Sequence, residues 1–262
     1  MRLIIFLALL GTALANPRSM SRIVGGTPTS ISAYPYMTNM QRNVLGIWWA
    51  QSCGGSLLTR TSVLSAAHCF HGDSAWQWRA VLGSSLSDSE DIVHTLNRVI
   101  LHPQYDHSAL NFDVAILHFN NPAVYSNNVQ AGSIAGSNYH VADGATVTHI
   151  GWGRLWDQGP TSQQLMRVDV NIINHQLCTE RYAYLKSQEN YGWLPDVTSN
   201  MLCAGVLNEG GRDACGGDSG GPLLHNHVIV GITSWGYRCA HPLYPGVNAR
   251  VSYFSNWIVA NA

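Results

Sequence analysis

The chain has 262 residues, of which 46% are hydrophobic and 11% are charged, and its formal net charge is -1. It lacks the surplus of basic side chains that neutralises phosphates, so nucleic-acid binding is not expected. The high apolar share predicts a folded chain with a large core and excludes a disordered one. The basic residues are unequally divided, with 13 Arg and a single Lys, Lys186.

Residues 1–15 have the pattern of a secretory signal peptide. Arg2 precedes the apolar run Leu3–Leu14, and Ala15 completes a small-residue cleavage pattern. An N-terminal membrane anchor is the alternative, but about 12 apolar residues are too few to span a bilayer, which needs about 20. We therefore expect a secreted, extracellular protein that is cut after Ala15 and has no membrane partner.

The rest of the chain has the pattern of an all-β protein. Short apolar or alternating runs recur between turn-forming residues, which is typical of β-sandwiches and barrels. The predicted strands are Ser56–Leu58, Trp78–Leu82, Val99–Leu101, Asp113–Phe119, Ala145–Ile150, Gln164–Ile172 and Val228–Trp235. Only Tyr253–Val259 has a helical pattern, because Phe254, Trp257 and Ile258 share one face. The linker-like segment Ala131–Asn138 places a domain boundary between residues 133 and 134.

Six cysteines in an exported chain predict three disulfides, and spacing alone allows about 15 connectivities. A zinc site would need close cysteine pairs such as C-x-x-C, and the sequence has none. We therefore expect neither a metal nor another cofactor.

Two short motifs carry the candidate chemistry. In the segment Ser65–Cys69, a bridged cysteine beside His68 would hold the ring in the fixed position that a general base needs. Taken alone, such a histidine is more often structural. In the segment Asp213–Pro222, four glycines surround Ser219 and permit a tight turn whose N–H groups face a developing oxyanion. A Gly-rich surface turn is the alternative, which two aspartates and a cysteine at fixed offsets disfavour.

Together with four further segments, these motifs resemble the trypsin-like serine proteases of the chymotrypsin family, and in particular the digestive trypsins of lepidopteran insects. The resemblance runs from Ile23 to the C-terminus. Its six segments are 22–26 (RIVGG), 66–69 (AAHC), 113–117 (DVAIL), 151–153 (GWG), 217–222 (GDSGGP) and 234–236 (SWG). It implies two six-stranded antiparallel β-barrels, with the active site between them and a short C-terminal helix. An activation propeptide (16–22) would precede an N-terminal barrel (23–133) and a C-terminal barrel (134–262).

The resemblance implies the catalytic roles. Ser219 is the expected nucleophile, and His68 is the expected general base and acid. Asp113 is expected to orient His68, although a turn carboxylate is the simpler interpretation if its motif stood alone. Backbone N–H groups of Gly217 and Ser219 are expected to form the oxyanion hole.

The same resemblance implies a specificity for cationic side chains. Asp213 would lie at the base of the primary pocket and favour Arg or Lys. The other expected substrate-binding residues are Ala214, Ser234, Trp235, Gly236 and Gly246. Ala214 offers no hydroxyl to a lysine ammonium, whereas Arg can reach Asp213 in a bidentate manner. We therefore expect Arg to be preferred over Lys.

Activation is expected to follow cleavage after Arg22. The freed Ile23 amine would pair with Asp218 and order the pocket, and Arg22 itself suits the expected specificity, which favours autoactivation. The resemblance also selects one disulfide pattern, namely Cys53–Cys69, Cys178–Cys203 and Cys215–Cys239.

The function that these expectations describe is a secreted, digestive, monomeric endopeptidase that acts on proteins and peptides through an acyl-enzyme and meets protein protease inhibitors. A regulatory protease of immunity or clotting is one alternative, and an inactive binding homologue is another. The excess of Arg over Lys favours activity at alkaline pH, as in a gut lumen, because Lys titrates near 10.4 and Arg at about 12.5 or above. Compositional drift is the alternative explanation of that ratio.

Overall fold

The computed structural model describes residues 23–262. The expected signal peptide and propeptide, residues 1–22, lie outside the described residues. No helix within residues 23–262 is long and apolar enough to cross a membrane.

Six antiparallel strands in the first half of the chain form a closed barrel. After a short strand β1 (Thr27–Pro28), the barrel strands are β2 (Met37–Val44), β3 (Trp48–Leu57), β4 (Ser62–Ser65), β5 (Trp78–Val81), β6 (Val93–Leu101) and β7 (Ala115–Phe119). They close in the order β2-β3-β4-β7-β6-β5. The buried side chains include the apolar Leu57, Val63 and Ile116, which are fully buried.

The second half of the chain forms another closed barrel of six antiparallel strands. Its segments are β8 (Ser133–Ile134), β9 (Thr146–Gly151), β10 (Met166–Ile173), β11 (Met201–Gly205), β12 (Pro222–His225), β13 (Val228–Trp235) and β14 (Gly246–Arg250). The ring runs β9-β10-β11-β14-β13-β12 and returns to β9, while β8 pairs with β13 outside it. Burial alternates along β10, as expected for a strand with one face in a core. The two-barrel, all-β fold is therefore confirmed.

Two α-helices accompany the barrels, α1 (His175–Lys186) and α2 (Val251–Asn261). The C-terminal helix is confirmed, whereas the prediction of a single helix was wrong. In α1 the buried Cys178, Tyr182 and Leu185 have helical spacing, and the Asn174 side chain accepts a hydrogen bond from a first-turn N–H group. Exposed apolar side chains, such as Tyr184, obscure this pattern in the sequence.

Segments near both chain ends cross the predicted domain boundary. β1 pairs with β10 of the second barrel, and Nε2 of His118 in β7 lies 2.9 Å from the carbonyl oxygen of Asn261 at the end of α2. The division between residues 133 and 134 stays a prediction.

Candidate active site

The pairing of β4 with β7 brings His68 and Asp113 together. Ser65, the last residue of β4, lies opposite Ala115, the first residue of β7. His68 follows in a 3₁₀ turn, Ala67–Cys69, and Asp113 stands two residues before β7. Because the strands are antiparallel, both side chains emerge at the same end of the first barrel.

Three hydrogen bonds hold the Asp113 carboxylate. Its Oδ2 lies 2.7 Å from His68 Nδ1, and its Oδ1 accepts a hydrogen bond from the His68 backbone N–H at 2.8 Å. The Ser234 hydroxyl donates to Oδ2 at 2.5 Å. The Asp113 side chain is 1% exposed and that of His68 is 20% exposed. Burial lowers the pKa of His68, but the charge and hydrogen bond of Asp113 outweigh it, so this pKa lies above its usual value.

The turn that carries Ser219 packs against the His68 segment. The Ser219 carbonyl accepts a hydrogen bond from the backbone N–H of Gly54 at 2.7 Å and lies 3.8 Å from Cys69 Sγ. Gly220 has a φ of +77°, and a Cβ there would collide with Ser65 Oγ, so only glycine fits. Within the described residues the Ser219 hydroxyl makes no hydrogen bond to His68. Such contacts are often long in free enzymes and tighten when substrate binds.

The backbone N–H groups of this turn that are unpaired within residues 23–262 include the two that are expected to form the oxyanion hole. Those of Asp218, Gly220 and Gly221 each donate to a backbone carbonyl. Those of Gly217 and Ser219 donate to no acceptor within residues 23–262. Adjacent free donors of this kind are what an oxyanion hole requires.

Asp218 is buried behind the Ser219 turn without a cationic partner among residues 23–262. Its two oxygens accept hydrogen bonds from two backbone N–H groups at 2.7 and 2.9 Å, and burial raises its pKa to about 6. Ile23 is fully buried, and the carbonyl of Val24 accepts a hydrogen bond from the Asp213 N–H at 3.1 Å. The described chain therefore begins beside Asp213, while Arg22 lies outside the described residues.

A cavity of about 420 Å³ connects Ser219 with Asp213. It is lined by all the expected pocket residues, namely Asp213, Ala214, Ser234, Trp235, Gly236 and Gly246. The Asp213 carboxylate accepts hydrogen bonds from the N–H groups of Ala214 and Ala240, at 2.9 and 3.2 Å. No salt bridge within residues 23–262 neutralises it, and burial raises its pKa to about 7. A Cβ at Gly246 would lie 3.0 Å from its Oδ1, so a side chain there would fill the pocket.

Several cavity residues were not predicted from the sequence. His149, Arg154, Thr233 and Asn248 also line the cavity. Ser234 was expected there, but the contact between its hydroxyl and Asp113 was not predicted. The available signals were positional, since Thr233 precedes the SWG motif directly and Asn248 follows Gly246 by two residues on β14. Only the barrel register shows which way those side chains face.

The three disulfides that the resemblance implies are present, namely Cys53–Cys69, Cys178–Cys203 and Cys215–Cys239. The first ties β3 to the turn with His68, and the third ties the Ser219 turn to the pocket wall. Both groups of three potential metal ligands within residues 23–262 contain disulfide-bonded cysteines. A disulfide has no thiolate to offer a metal, so neither group fits a metal site.

Comparison with known proteins matches the Trypsin family model to residues 23–258. "Trypsin, alkaline B" of Manduca sexta is 45% identical over the full length of both chains, and "Trypsin, alkaline A" of the same species is 44% identical over the full length. "Trypsin CFT-1" of Choristoneura fumiferana is 43% identical over 97% of this chain and 96% of its own. The chain belongs to the trypsin family and is a serine endopeptidase.

Proposed function

We propose that this endopeptidase is a secreted digestive enzyme that cleaves after Arg, and less readily after Lys, at alkaline pH. One observation carries the specificity. The Asp213 carboxylate lies buried without a countercharge within residues 23–262, in a cavity that opens beside Ser219. A substrate guanidinium would supply the missing charge.

The chemistry follows from the positions of the side chains. The Ser219 hydroxyl attacks the substrate carbonyl carbon and gives its proton to His68 Nε2. The N–H groups of Gly217 and Ser219 hold the resulting oxyanion. Protonated His68 then gives the proton to the leaving amine, and the acyl-enzyme remains. Water, deprotonated by His68, releases the acid and restores Ser219.

Asp113 has the supporting role. Its hydrogen bond to Nδ1 fixes the ring so that Nε2 faces the nucleophile, and its charge stabilises the imidazolium that each proton transfer creates. The Ser234 hydroxyl and the His68 backbone N–H hold Asp113 in turn.

The pocket distinguishes Arg from Lys by the number of acceptors it offers. A guanidinium can form two parallel hydrogen bonds with Asp213, whereas an ammonium has three donors that need separate acceptors. Ala214 contributes no hydroxyl, and both Gly236 and Gly246 leave room for a long side chain.

Activation is proposed to create a buried ion pair between the Ile23 amine and Asp218, in addition to the pair that a substrate cation would form with Asp213. Cleavage after Arg22 would free the Ile23 amine, which would pair with the buried Asp218 carboxylate and order the neighbouring oxyanion hole. Arg22 fits the enzyme's own specificity, so we propose autoactivation. A proenzyme that stays inert when seeded with active enzyme would contradict this step.

Alkaline activity is supported by three features. The relatives from Manduca sexta carry the word alkaline in their names, 13 of the 14 Lys and Arg residues are Arg, and Asp213 is ionised above a pKa of about 7. The Ile23 amine sets the opposing limit, because free α-amino groups lose their proton near pH 8. Activity that collapses by about pH 9 would overturn the alkaline proposal.

The main test uses the activated enzyme and peptides that differ only in the residue before the cleaved bond. We expect the order Arg, then Lys, with a neutral Gln peptide at least about 10³-fold slower in kcat/KM. Ser219→Ala should abolish acylation and keep the fold, as judged by its unfolding temperature. Efficient cleavage after Gln would refute the specificity, and an active Ser219→Ala variant would refute the nucleophile.

A further inference from the structure

A side chain of the first barrel reaches the turn that carries Ser219. Gln51 lies on β3, outside the six motif segments, and its Nε2 donates a hydrogen bond to the Gly217 carbonyl at 2.7 Å. The same Nε2 also donates to the Cys53 carbonyl at 3.4 Å, which holds the amide against its own strand. Gln51 thus links β3 to a residue whose N–H group is expected to bind the oxyanion.

The two residues of the expected oxyanion hole are both held by β3. Gln51 donates to the carbonyl of Gly217, and the backbone N–H of Gly54 donates to the carbonyl of Ser219 at 2.7 Å. The carbonyl and the N–H group of one residue are joined through only two rotatable backbone bonds. A contact that fixes the carbonyl therefore restricts the directions in which the N–H group of that residue can point.

Gly217 depends on such a contact more than Ser219 does, because it is a glycine. Its φ is +100°, and a glycine can leave this region of backbone conformation at little steric cost. A Cβ at Gly217 would lie 3.2 Å from both Gln51 Oε1 and Gly153 Cα, so a side chain that would stiffen the backbone is crowded out. The orientation of Gly217 must therefore come from hydrogen bonds.

Hydrogen bonds hold the peptide groups on both sides of Gly217. The Arg154 backbone N–H donates to the Gly216 carbonyl at 2.8 Å. Because the C=O and N–H of a trans peptide point in opposite directions, the Gly217 N–H points away from Arg154. The peptide group that follows Gly217 is held through its carbonyl by Gln51. Without this second contact the carbonyl can rotate, and the N–H group is only one residue away.

We propose that Gln51 is a positioning residue of the oxyanion hole, whose amide holds the Gly217 carbonyl so that the Gly217 N–H stays directed at the developing oxyanion. Gln51 acts through Gly217 and does not line the Asp213 cavity. Its contribution therefore arises when the oxyanion forms and not when the substrate cation binds. The inference rests on the proposed oxyanion hole of Gly217 and Ser219.

Gln51→Met tests the hydrogen bond, since it keeps the length of the side chain and removes the donor. On an Arg peptide amide we expect kcat to fall about tenfold, because one hydrogen bond is lost, and KM to stay within about twofold. The fall should be the same at pH 7 and pH 9, since a neutral amide has no proton that titrates there. An unchanged kcat, or a change in KM alone, would overturn the inference.

Two inhibitors separate the oxyanion hole from the pocket. With a peptide aldehyde that ends in Arg, Ser219 Oγ bonds to the aldehyde carbon, its proton passes to His68, and the aldehyde oxygen becomes an oxyanion. Benzamidine, an aromatic amidinium, offers only a cation to Asp213. Gln51→Met should weaken binding of the aldehyde about tenfold and change that of benzamidine by less than about twofold. Equal weakening of both would mean that Gln51 supports the fold in general, contrary to the proposal.

Gln41→Met is the matched control. Gln41 lies directly opposite Gln51 on β2 and is buried. Its amide contacts the Ser87 carbonyl and Arg79, and it makes no hydrogen bond to residues 217–219 within the described part of the chain. The same substitution should therefore leave kcat, KM and both inhibition constants within about twofold of the wild-type values. A loss of kcat as large as that in Gln51→Met would assign the effect to distortion of the β2–β3 pair and contradict the proposal.

A crystal structure of the wild-type enzyme with the bound aldehyde covers the case in which the variants do not fold. The N–H groups of Gly217 and Ser219 should lie within hydrogen-bond distance of the oxyanion, and Gln51 Nε2 should still donate to the Gly217 carbonyl. If Gln51 is turned away from that carbonyl while the oxyanion occupies the hole, only the role of Gln51 is overturned. An oxyanion that lies elsewhere would contradict the proposed hole as well. Failure of the wild type to cleave the Arg peptide would instead contradict the proposed function.

Discussion

Asp113 and Asp213 are both buried carboxylates at the cleft, but their surroundings differ. Asp113, from the first barrel, accepts hydrogen bonds from an imidazole, a hydroxyl and a backbone N–H. Asp213, from the second barrel, accepts hydrogen bonds from two backbone N–H groups and from no other group within residues 23–262, and burial raises its pKa to about 7.

The difference separates two uses of a buried charge. Asp113 already has its partners in the free protein, so it can hold His68 rigidly before substrate arrives. Asp213 is stabilised incompletely, and a substrate cation gains the full interaction when it binds. A carboxylate that positions a catalytic side chain has its hydrogen-bond partners before substrate binds. A carboxylate that selects a substrate gains its charged partner only when the substrate binds.

The largest expected effect tests Asp113, the carboxylate whose hydrogen-bond partners are in place in the free protein. Asp113→Asn should lower kcat about 10⁴-fold at pH 8, a magnitude known for this change in Ser-His-Asp enzymes, because an amide favours the wrong tautomer of His68. The loss should be equal for Arg and Lys peptides, with KM nearly unchanged. A loss confined to one of the two peptides would mean that Asp113 also contributes to specificity.

The second effect tests Asp213, the carboxylate that has no cationic partner within residues 23–262. Asp213→Asn should lower kcat/KM for an Arg peptide about 10³-fold and change that for a neutral Gln peptide little, because only the cation loses its partner. Steady-state kinetics on the two peptides measure this selectivity. Equal losses on both peptides would show that the substitution disturbs the catalytic residues.

The same substitution should change stability in a pH-dependent way. With a pKa of about 7 folded and near 4 unfolded, Asp213 binds more protons in the folded chain between these values. The free energy of unfolding therefore falls as pH rises through this window, by on the order of 4 kcal/mol in total. Asp213→Asn removes that penalty, so its stability relative to the parent should increase between pH 4 and pH 8.

Thermal unfolding in an inactive Ser219→Ala background avoids self-digestion and measures this difference. Asp113→Asn, made in the same background, is the contrasting variant, because it disturbs hydrogen bonds that His68 and Ser234 already make to Asp113. It should be less stable than the parent at pH 8. A relative stability of Asp213→Asn that is the same at both pH values would contradict the raised pKa.

The acid limb of the pH profile is a smaller effect. Wild-type kcat/KM on an Arg peptide requires that both Asp213 and His68 lose a proton, and the pKa of His68 is also raised. The logarithm of kcat/KM should approach a slope of two below pH 6. In Asp213→Asn the slope should fall by one, since the Asp213 carboxylate no longer titrates. A slope of one in both enzymes would mean that Asp213 is already ionised in the free protein.

The sequence predicts strands well where apolar residues dominate and poorly where buried positions are polar. The prediction Val228–Trp235 matches β13, which is largely apolar. Strand β2 was missed, and its buried positions include Thr38, Asn39 and Gln41. An apolar pattern does not detect such positions, because the burial of a polar side chain depends on partners such as the Ser87 carbonyl, 48 residues from Asn39.

The residues of the candidate site also differ in how well the sequence predicts them. Residues inside dense motifs, such as His68 and Ser219, could be assigned from the resemblance alone. His149 and Asn248 lie outside the six motif segments, and the sequence gives no sign that they line the cavity. The contact between Ser234 and Asp113 joins residues 121 positions apart, so spacing gives no sign of it.

The smallest expected effect concerns that contact. Ser234 is a positioning residue, because its hydroxyl touches Asp113 and not the reacting atoms. Ser234→Ala should lower kcat about tenfold, the cost of one hydrogen bond to a charged group. With one donor fewer, Asp113 places more charge on His68, so the acid limb of kcat should also move to higher pH.

Ser234→Thr keeps the hydroxyl and should restore both kcat and the acid limb, which a purely steric role would not explain. Pre-steady-state acylation across pH 5–9 measures the two quantities together. If Ser234→Ala acylates at the wild-type rate with an unchanged pH profile, Asp113 is held sufficiently by His68 alone. The contrast with Asp213 would then rest on the charge of the histidine and not on the number of donors.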